Sequence, residues 1–183
     1  MIAFIGLGNP GNKYADTKHN AGFWILDEMA NRYKISFKPG RGDYVVAMKP
    51  NKFLLFKPST GMNNSGHAVQ DISSSWNMIT KEICIILDDV DLPLGVVRLK
   101  PRGGDGSHRG LESIIYSLNT NEFPRLRFGI GTDEKMRPAE NYVLKPFNSK
   151  DQKTSAVAVK KAADALDSII FNGLDKTMSI FNS

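Results

Sequence analysis

Apolar residues fall along this chain in two rhythms. Short alternating or unbroken apolar runs at Ile2–Leu7, Tyr44–Lys49, Phe53–Lys57, Ile83–Asp88, Val96–Lys100 and Arg125–Ile130 are each bounded by Gly, Pro, Asn or Asp, and they predict strands. Longer stretches between them carry the helical period. In Ala21–Tyr33 the residues Leu26, Met29, Ala30 and Tyr33 recur at i, i+3, i+4 and i+7. Asn64–Trp76 and His108–Leu118 read the same way, as does a C-terminal helix through Val159, Ala162, Ala163, Leu166, Ile169 and Ile170, which Gly173 should end. Leu174, Met178 and Phe181 then form a short amphipathic tail able to pack back on the body. Strands and helices in this order predict an α/β fold, a single globular domain with a mixed twisted β-sheet and helices on both faces. In such sheets, sites gather where loops leave the strand ends.

The first strand ends in Gly6-Leu7-Gly8-Asn9-Pro10-Gly11, which taken literally is the G-x-G-x-x-G dinucleotide fingerprint. No helix should open there. Asn12 to Lys18 lacks an apolar stripe at helical spacing, and Pro10 disfavours helical backbone at Asn9, so the glycines are expected to shape a loop over the sheet edge. That loop leads to His19, just before the first helix, where its ring can stand at the rim of a cleft.

The 183 residues, 41% hydrophobic, are enough for one sizeable core, and no low-complexity linker divides them, so one domain over residues 1–183 is expected. No basic segment followed by a long apolar run opens the chain, and no apolar stretch approaches the roughly 20 residues of a membrane span. A soluble, unsecreted, cytoplasmic protein is the expectation. The single cysteine, Cys84, has no partner for an internal disulfide and sits in an apolar run, as a core residue would. Twenty-four Lys and Arg against nineteen Asp and Glu give +5. More telling, Arg98, Lys100, Arg102, Arg109, Arg125 and Arg127 concentrate around a glycine-rich loop, which points to a phosphate-bearing substrate; two exposed strands with charged outer faces would look similar.

Of the three histidines, His67 lies in a predicted helix as an ordinary exposed side chain, and His108 opens a helix where it either touches an anion or closes the turn. His19 gains weight from the acidic run Asp88-Asp89-Val90-Asp91-Leu92-Pro93. A carboxylate leaving a buried strand, Asp88 first, can accept a proton from one imidazole nitrogen and free the other to take one from water. At least one of these aspartates should cap the Asp-Leu-Pro turn. A metal is a poor fit to an acidic cluster without nearby His or Cys spacing. Asn9, Asn20, Asn63 and Asn64 supply amides that can hold a carbonyl oxygen as it gains charge, with helix capping the competing role for Asn63 or Asn64. There is no G-x-S-x-G elbow, and the loop Gly103-Gly104-Asp105-Gly106-Ser107 lacks the ending of a P-loop, so direct attack by water is favoured over a covalent nucleophile or nucleotide hydrolysis.

Six ordered segments together resemble the bacterial-type peptidyl-tRNA hydrolase family: Gly6-Leu7-Gly8-Asn9-Pro10-Gly11, Lys18-His19-Asn20-Ala21-Gly22, Met62-Asn63-Asn64-Ser65-Gly66, Asp88-Asp89-Val90-Asp91-Leu92-Pro93-Leu94-Gly95, His108-Arg109-Gly110-Leu111 and Arg125-Leu126-Arg127-Phe128-Gly129-Ile130-Gly131. They span most of the chain and are specific together where the first alone misleads. The resemblance implies a monomeric enzyme that hydrolyses the ester joining a peptide to the terminal ribose of tRNA, recycling stalled peptidyl-tRNA, with no metal or organic cofactor. It implies His19 as general base and Asp88 as the group that orients it. Asn9 would distinguish N-blocked from free aminoacyl ester, Tyr14 would contact the tRNA 3′ end, Met62 would line the cleft, and Asn63 would hold substrate near the scissile carbonyl. Lys100 and Arg127 would grip tRNA phosphate.

Two positions depart from the family pattern. Gly61 stands where an aromatic residue is usual, leaving only backbone, and Arg109 stands where asparagine commonly follows the histidine. A guanidinium only donates, so Arg109 cannot replace an amide acceptor, though it can bind phosphate or an oxyanion. The competing expectation is a noncatalytic RNA- or protein-binding relative of the same fold. A dinucleotide oxidoreductase would rest on the glycine segment alone, and its acidic residue, Asp27 or Glu28, falls in a helix instead of at the end of a second strand.

Overall fold

A computed structural model describes residues 1–183. Its strands are β1 (Ile2–Gly6), β2 (Lys38–Pro39), β3 (Tyr44–Lys49), β4 (Phe53–Pro58), β5 (Ile83–Pro93), β6 (Val97–Lys100) and β7 (Arg125–Gly131). Its helices are α1 (Ala21–Tyr33), α2 (Ser65–Ser75), α3 (Arg109–Leu118), α4 (Ala139–Val143), α5 (Ser149–Asn172) and α6 (Leu174–Phe181). The strands form one seven-stranded sheet in the order β2-β3-β4-β1-β5-β7-β6. β4, β1, β5 and β7 run parallel through its centre, β3 and β6 flank them antiparallel, and β2 is antiparallel to β3.

The central strands are apolar on both faces because both faces are covered. Successive side chains point to opposite sides. Phe4, Phe53, Leu55, Cys84, Ile86, Leu126 and Phe128 meet Ile25, Leu26 and Met29 of α1 and Ala162, Leu166 and Ile169 of α5. Ala3, Ile5, Leu54, Phe56, Ile83 and Ile85 meet Val69 and Ile72 of α2 and Leu111 and Ile114 of α3. Burial of each large apolar side chain contributes about 1.5–3 kcal/mol, so these two layers dominate the fold's stability. Leu174, Met178 and Phe181 of α6 pack on the α1/α5 side, as the amphipathic tail suggests.

Several expectations need correction. The glycine segment does not lie over a sheet edge: β1 is the middle strand of seven, so its loop leaves the centre of the sheet. β5 continues past Asp88 to Pro93, with an irregular register between Asp89 and Pro93 against β7, so Asp88 lies inside the strand and opposite Phe128. The polar stretch after Gly11 holds two single 3-10 turns, Asn12–Tyr14 and Lys18–Asn20, each too short to show a helical stripe. Neither β2 nor α4 was expected; β2 is two exposed residues, and α4 buries only Tyr142 and Val143. Asn64 occupies the N-cap position of α2 without a capping side-chain bond, and Asn63 lies in the preceding 3-10 turn, so neither amide caps the helix. No helix is long and apolar enough to cross a membrane.

α1 starts hard against the strand ends. A Cβ on Gly22 would stand 2.5 Å from the Leu7 nitrogen and 2.6 Å from the Ile86 carbonyl oxygen, and one on Gly6 would meet the Gly22 carbonyl at 2.5 Å. Only glycine allows that approach, which brings the His19 turn over the ends of β1 and β5. Gly22→Ala is expected to lower stability by at least about 2 kcal/mol, because the clash is with backbone that cannot rotate away. Urea unfolding checks this; an unchanged midpoint would mean that α1 can shift freely.

Candidate active site

The carboxyl ends of the parallel strands meet at a cleft of about 890 Å³. Asn9 reaches it from the loop after β1, Gly61, Met62 and Asn63 from the loop after β4, and Asp88 from β5. His19 arrives on the 3-10 turn before α1, and His108 and Arg109 at the start of α3. Tyr14, Lys100 and Arg127 complete the expected set around the same cavity.

Asp88 is the hub. It is 2% exposed and accepts from two imidazoles: His19 Nδ1 lies 2.9 Å from both Oδ1 and Oδ2, and His108 Nε2 lies 2.9 Å from Oδ1. The backbone defines the tautomer of His108. The Leu111 amide donates to His108 Nδ1 at 3.2 Å, capping α3, so the ring's proton sits on Nε2 and points at Asp88. His108 therefore closes the turn, as one of its two expected roles had it, and also grips Asp88, which the sequence did not reveal. With a carboxylate at Nδ1, His19 carries its proton there, and Nε2 has no protein partner.

Burial alone would raise the Asp88 pKa, but the charges of His19 and His108 and their hydrogen bonds outweigh it and hold the carboxyl well below the usual range. Its contribution to stability is in place above about pH 4 and is lost as pH falls from there through its own lower pKa. For His19 burial lowers the pKa, and the charge and hydrogen bond of Asp88 more than reverse this, leaving it above 6.5.

The ligand atoms of His19, Asp88 and His108 lie within 4.8 Å of one another, so the acidic run does have histidine partners, contrary to the sequence expectation. The hydrogen bonding suits protons better than a metal. A cation at His108 Nε2 would force a proton onto Nδ1, where it would face the Leu111 N–H donor.

A second chain of bonds ties the loops together. The Asn20 side chain accepts from the Asn9 N–H at 2.8 Å and donates to the Asn9 carbonyl at 2.9 Å. Asn20 is thus committed to holding the loop and does not offer its amide to a ligand. Asn9 Oδ1 in turn accepts from the Met62 N–H at 2.7 Å, which aims its NH₂ group elsewhere, with no protein acceptor. Met62 is buried under α3, where a Cβ on Gly110 would stand 2.5 Å from its sulfur. Asn63 is exposed, and Gly61 has φ +81°, a backbone conformation that favours glycine.

The basic cluster is more divided than its sequence density suggests. Arg125 is buried and donates to the carbonyls of Gly103, Gly104, Asn121 and Phe123, fastening the glycine-rich loop. Arg127 is paired with Asp89 at 2.6 Å, Arg102 with Glu122, and Arg98 donates to the Asn182 carbonyl. Asp89 also accepts from the Asp91 N–H at 2.9 Å, so it is the aspartate that caps the turn. Lys100 and Arg109 are exposed cleft residues without a hydrogen-bond or ion-pair partner. The wall that includes Arg137, Ala139, Val143 and Leu144 was not anticipated; nothing in its short polar stretch marks it in the sequence.

A fixed imidazole with one nitrogen open, beside an amide with free donors and no activated side-chain nucleophile, is equipment for hydrolysis by water. The model of the family described as peptidyl-tRNA hydrolase matches residues 3–183. A peptidyl-tRNA hydrolase from Hydrogenobaculum sp. is 42% identical over 184 residues, covering 99% of this chain and 97% of that protein. One from Thermoanaerobacter sp. is 42% identical over 189 residues, with both chains covered in full. The crystal structure of peptidyl-tRNA hydrolase from Acinetobacter baumannii has a TM-score of 0.91 at 32% identity, covering 100% of this chain and 95% of that one. The chain belongs to the peptidyl-tRNA hydrolase family.

An NMR titration of the His19 ring should give a midpoint above 6.5. In Asp88→Asn the raising charge is removed and burial remains, so the midpoint should drop. The same midpoint in both proteins would detach His19 from Asp88.

Proposed function

We propose that this protein hydrolyses the ester between peptide and tRNA in peptidyl-tRNA, recycling tRNA from stalled or aborted translation. The observation that carries this reading is the His19 ring, held through Nδ1 by buried Asp88 with Nε2 open to the cleft, in a chain of this family. His19 Nε2 takes a proton from water, the resulting hydroxide attacks the ester carbonyl, and the ribose hydroxyl leaves with a proton returned by the imidazolium. Asp88 keeps the proton of the resting ring on Nδ1 and stabilises the imidazolium; His108 holds Asp88 in place.

Asn9 supplies amide donors beside the reacting centre, either to the peptide carbonyl of an N-blocked substrate or to the oxygen that gains charge. Tyr14, Gly61, Met62 and Asn63 form the side of the cleft that receives the peptide and the tRNA 3′ end. Lys100 and Arg109 are the two uncommitted cations and serve tRNA phosphate, while Asp89 already neutralises much of Arg127. The donor-only Arg109 suits phosphate as it could not suit an amide's acceptor role.

Purified protein in excess chelator should release peptide from N-acetylated aminoacyl-tRNA and leave the unblocked ester intact. His19→Ala should lower turnover by at least about 10² with tRNA affinity within a few fold. tRNA binding without cleavage by the wild-type protein would instead establish the noncatalytic binder. Lys100→Ala or Arg109→Ala should flatten the log–log salt dependence of tRNA binding by about one unit, and Arg127→Ala by less. A larger change at Arg127 would show that it leaves Asp89 to take up phosphate.

A further inference from the structure

Lys18 precedes the general base and is only 1% exposed, yet no carboxylate is paired with it. Its ammonium donates to the carbonyls of Tyr142 and Pro146, both at 3.2 Å, and lies 3.8 Å from the centre of the Tyr142 ring and 5.4 Å from that of Phe147. Its own backbone N–H donates to the Lys145 carbonyl at 3.1 Å. All three acceptors belong to the end of α4 and the residues after it. The same segment presents Arg137, Ala139, Val143 and Leu144 to the cleft that His19 also lines. Tyr142 is also anchored from below, its hydroxyl donating to the Ile130 carbonyl at 2.6 Å at the end of β7.

We propose that Lys18 is a positioning residue of the hydrolysis: its buried ammonium fastens the α4 wall of the cleft to the turn that carries His19, and so sets the distance between the base and substrate held by that wall. The inference rests on the functional reading above. A cation at a helix C-terminus meets the negative end of the peptide dipoles, and an aromatic face adds attraction, so the site is built for positive charge. It is nevertheless a costly way to fill the space. Burial holds the Lys18 pKa below the ordinary lysine value; Glu134 and Asp151 oppose this through space and Lys145 adds to it. Because the unfolded chain then binds the proton more readily, the charged lysine detracts from folding stability, and stability gains as pH rises through its folded pKa. An apolar side chain would fill the same volume without this cost. What it would not do is hold the Tyr142 and Pro146 carbonyls of that wall in register with His19.

The test compares Lys18→Met, Lys18→Gln and Lys18→Arg, reading kcat and KM on N-acetylated aminoacyl-tRNA, the pH midpoint of activity, thermal unfolding, and amide exchange over residues 139–147. Both neutral variants should be folded, with kcat lower by about 10- to 100-fold, a smaller change in KM, and faster exchange in α4. Their pH midpoint should stay in place, because the Asp88 contacts are untouched. Lys18→Arg, which keeps the charge and the donors, should recover most of the activity and the exchange protection. Neutral variants with the wild-type kcat, or a loss that only follows the unfolded fraction, would overturn the proposal; so would an arginine variant as impaired as the methionine one. Should Lys18→Met fail to fold, Lys18→Gln decides. Should the wild-type protein cleave nothing, the functional reading fails by itself, and unchanged α4 exchange in Lys18→Gln would separately refute the clamp.

Discussion

 A single buried carboxylate, Asp88 on β5, accepts hydrogen bonds from two histidines far apart in sequence, His19 before α1 and His108 before α3, and the fold brings all three together. The carboxylate keeps its charge in a dry place because both imidazoles point donors at it, and each ring is oriented because the carboxylate is charged. Removing any one of the three leaves a buried polar group without its partner, which commonly costs more than the bond itself was worth. The arrangement also decides the chemistry. The Leu111 amide sets the tautomer of His108, His108 and His19 share Asp88, and the proton on His19 Nδ1 leaves Nε2 as the basic atom.

The rest of the site depends on how closely the backbone elements approach. Gly6 and Gly22 let α1 sit against the ends of β1 and β5, and Gly110 lets α3 sit against Met62. Asn20 holds Asn9, and Asn9 holds Met62, so the loops after β1 and β4 are bonded to each other. Buried cations fasten the remaining walls through carbonyl oxygens: Arg125 holds the Gly103–Gly104 loop and Lys18 holds the end of α4. These two charges are structural in their contacts, which leaves Lys100 and Arg109 as the cations free to meet an anionic ligand.

Much of the fold was legible because burial imprints itself on sequence. The unbroken run Ile83–Leu87 reads as a strand covered on both faces, and the period in Ala21–Tyr33 matches α1 to the residue. β2 and α4 were not legible, since two exposed residues and five mostly polar ones carry no period. The local pairing of His19 with Asp88 was reachable from chemistry, one imidazole and one carboxylate near strand ends. The third member was not. His108 reads as a helix cap, which it is, and nothing local says that its other nitrogen reaches Asp88. Asn20 and Lys18 were hidden for the same reason: their partners are set by tertiary packing, and residue type alone makes an amide look like a ligand group and a lysine look like solvent-exposed charge. The density of arginines misled in the other direction, because counting charges in sequence does not show which are already paired.

The central claim is that the open nitrogen of His19, set by Asp88, is the base. The most direct measurement is kcat/KM for N-acetylated aminoacyl-tRNA as a function of pH. The account predicts a rise through one ionisation whose midpoint, above 6.5, coincides with that of the His19 ring in the free protein. A rate that stays level across that midpoint would contradict it.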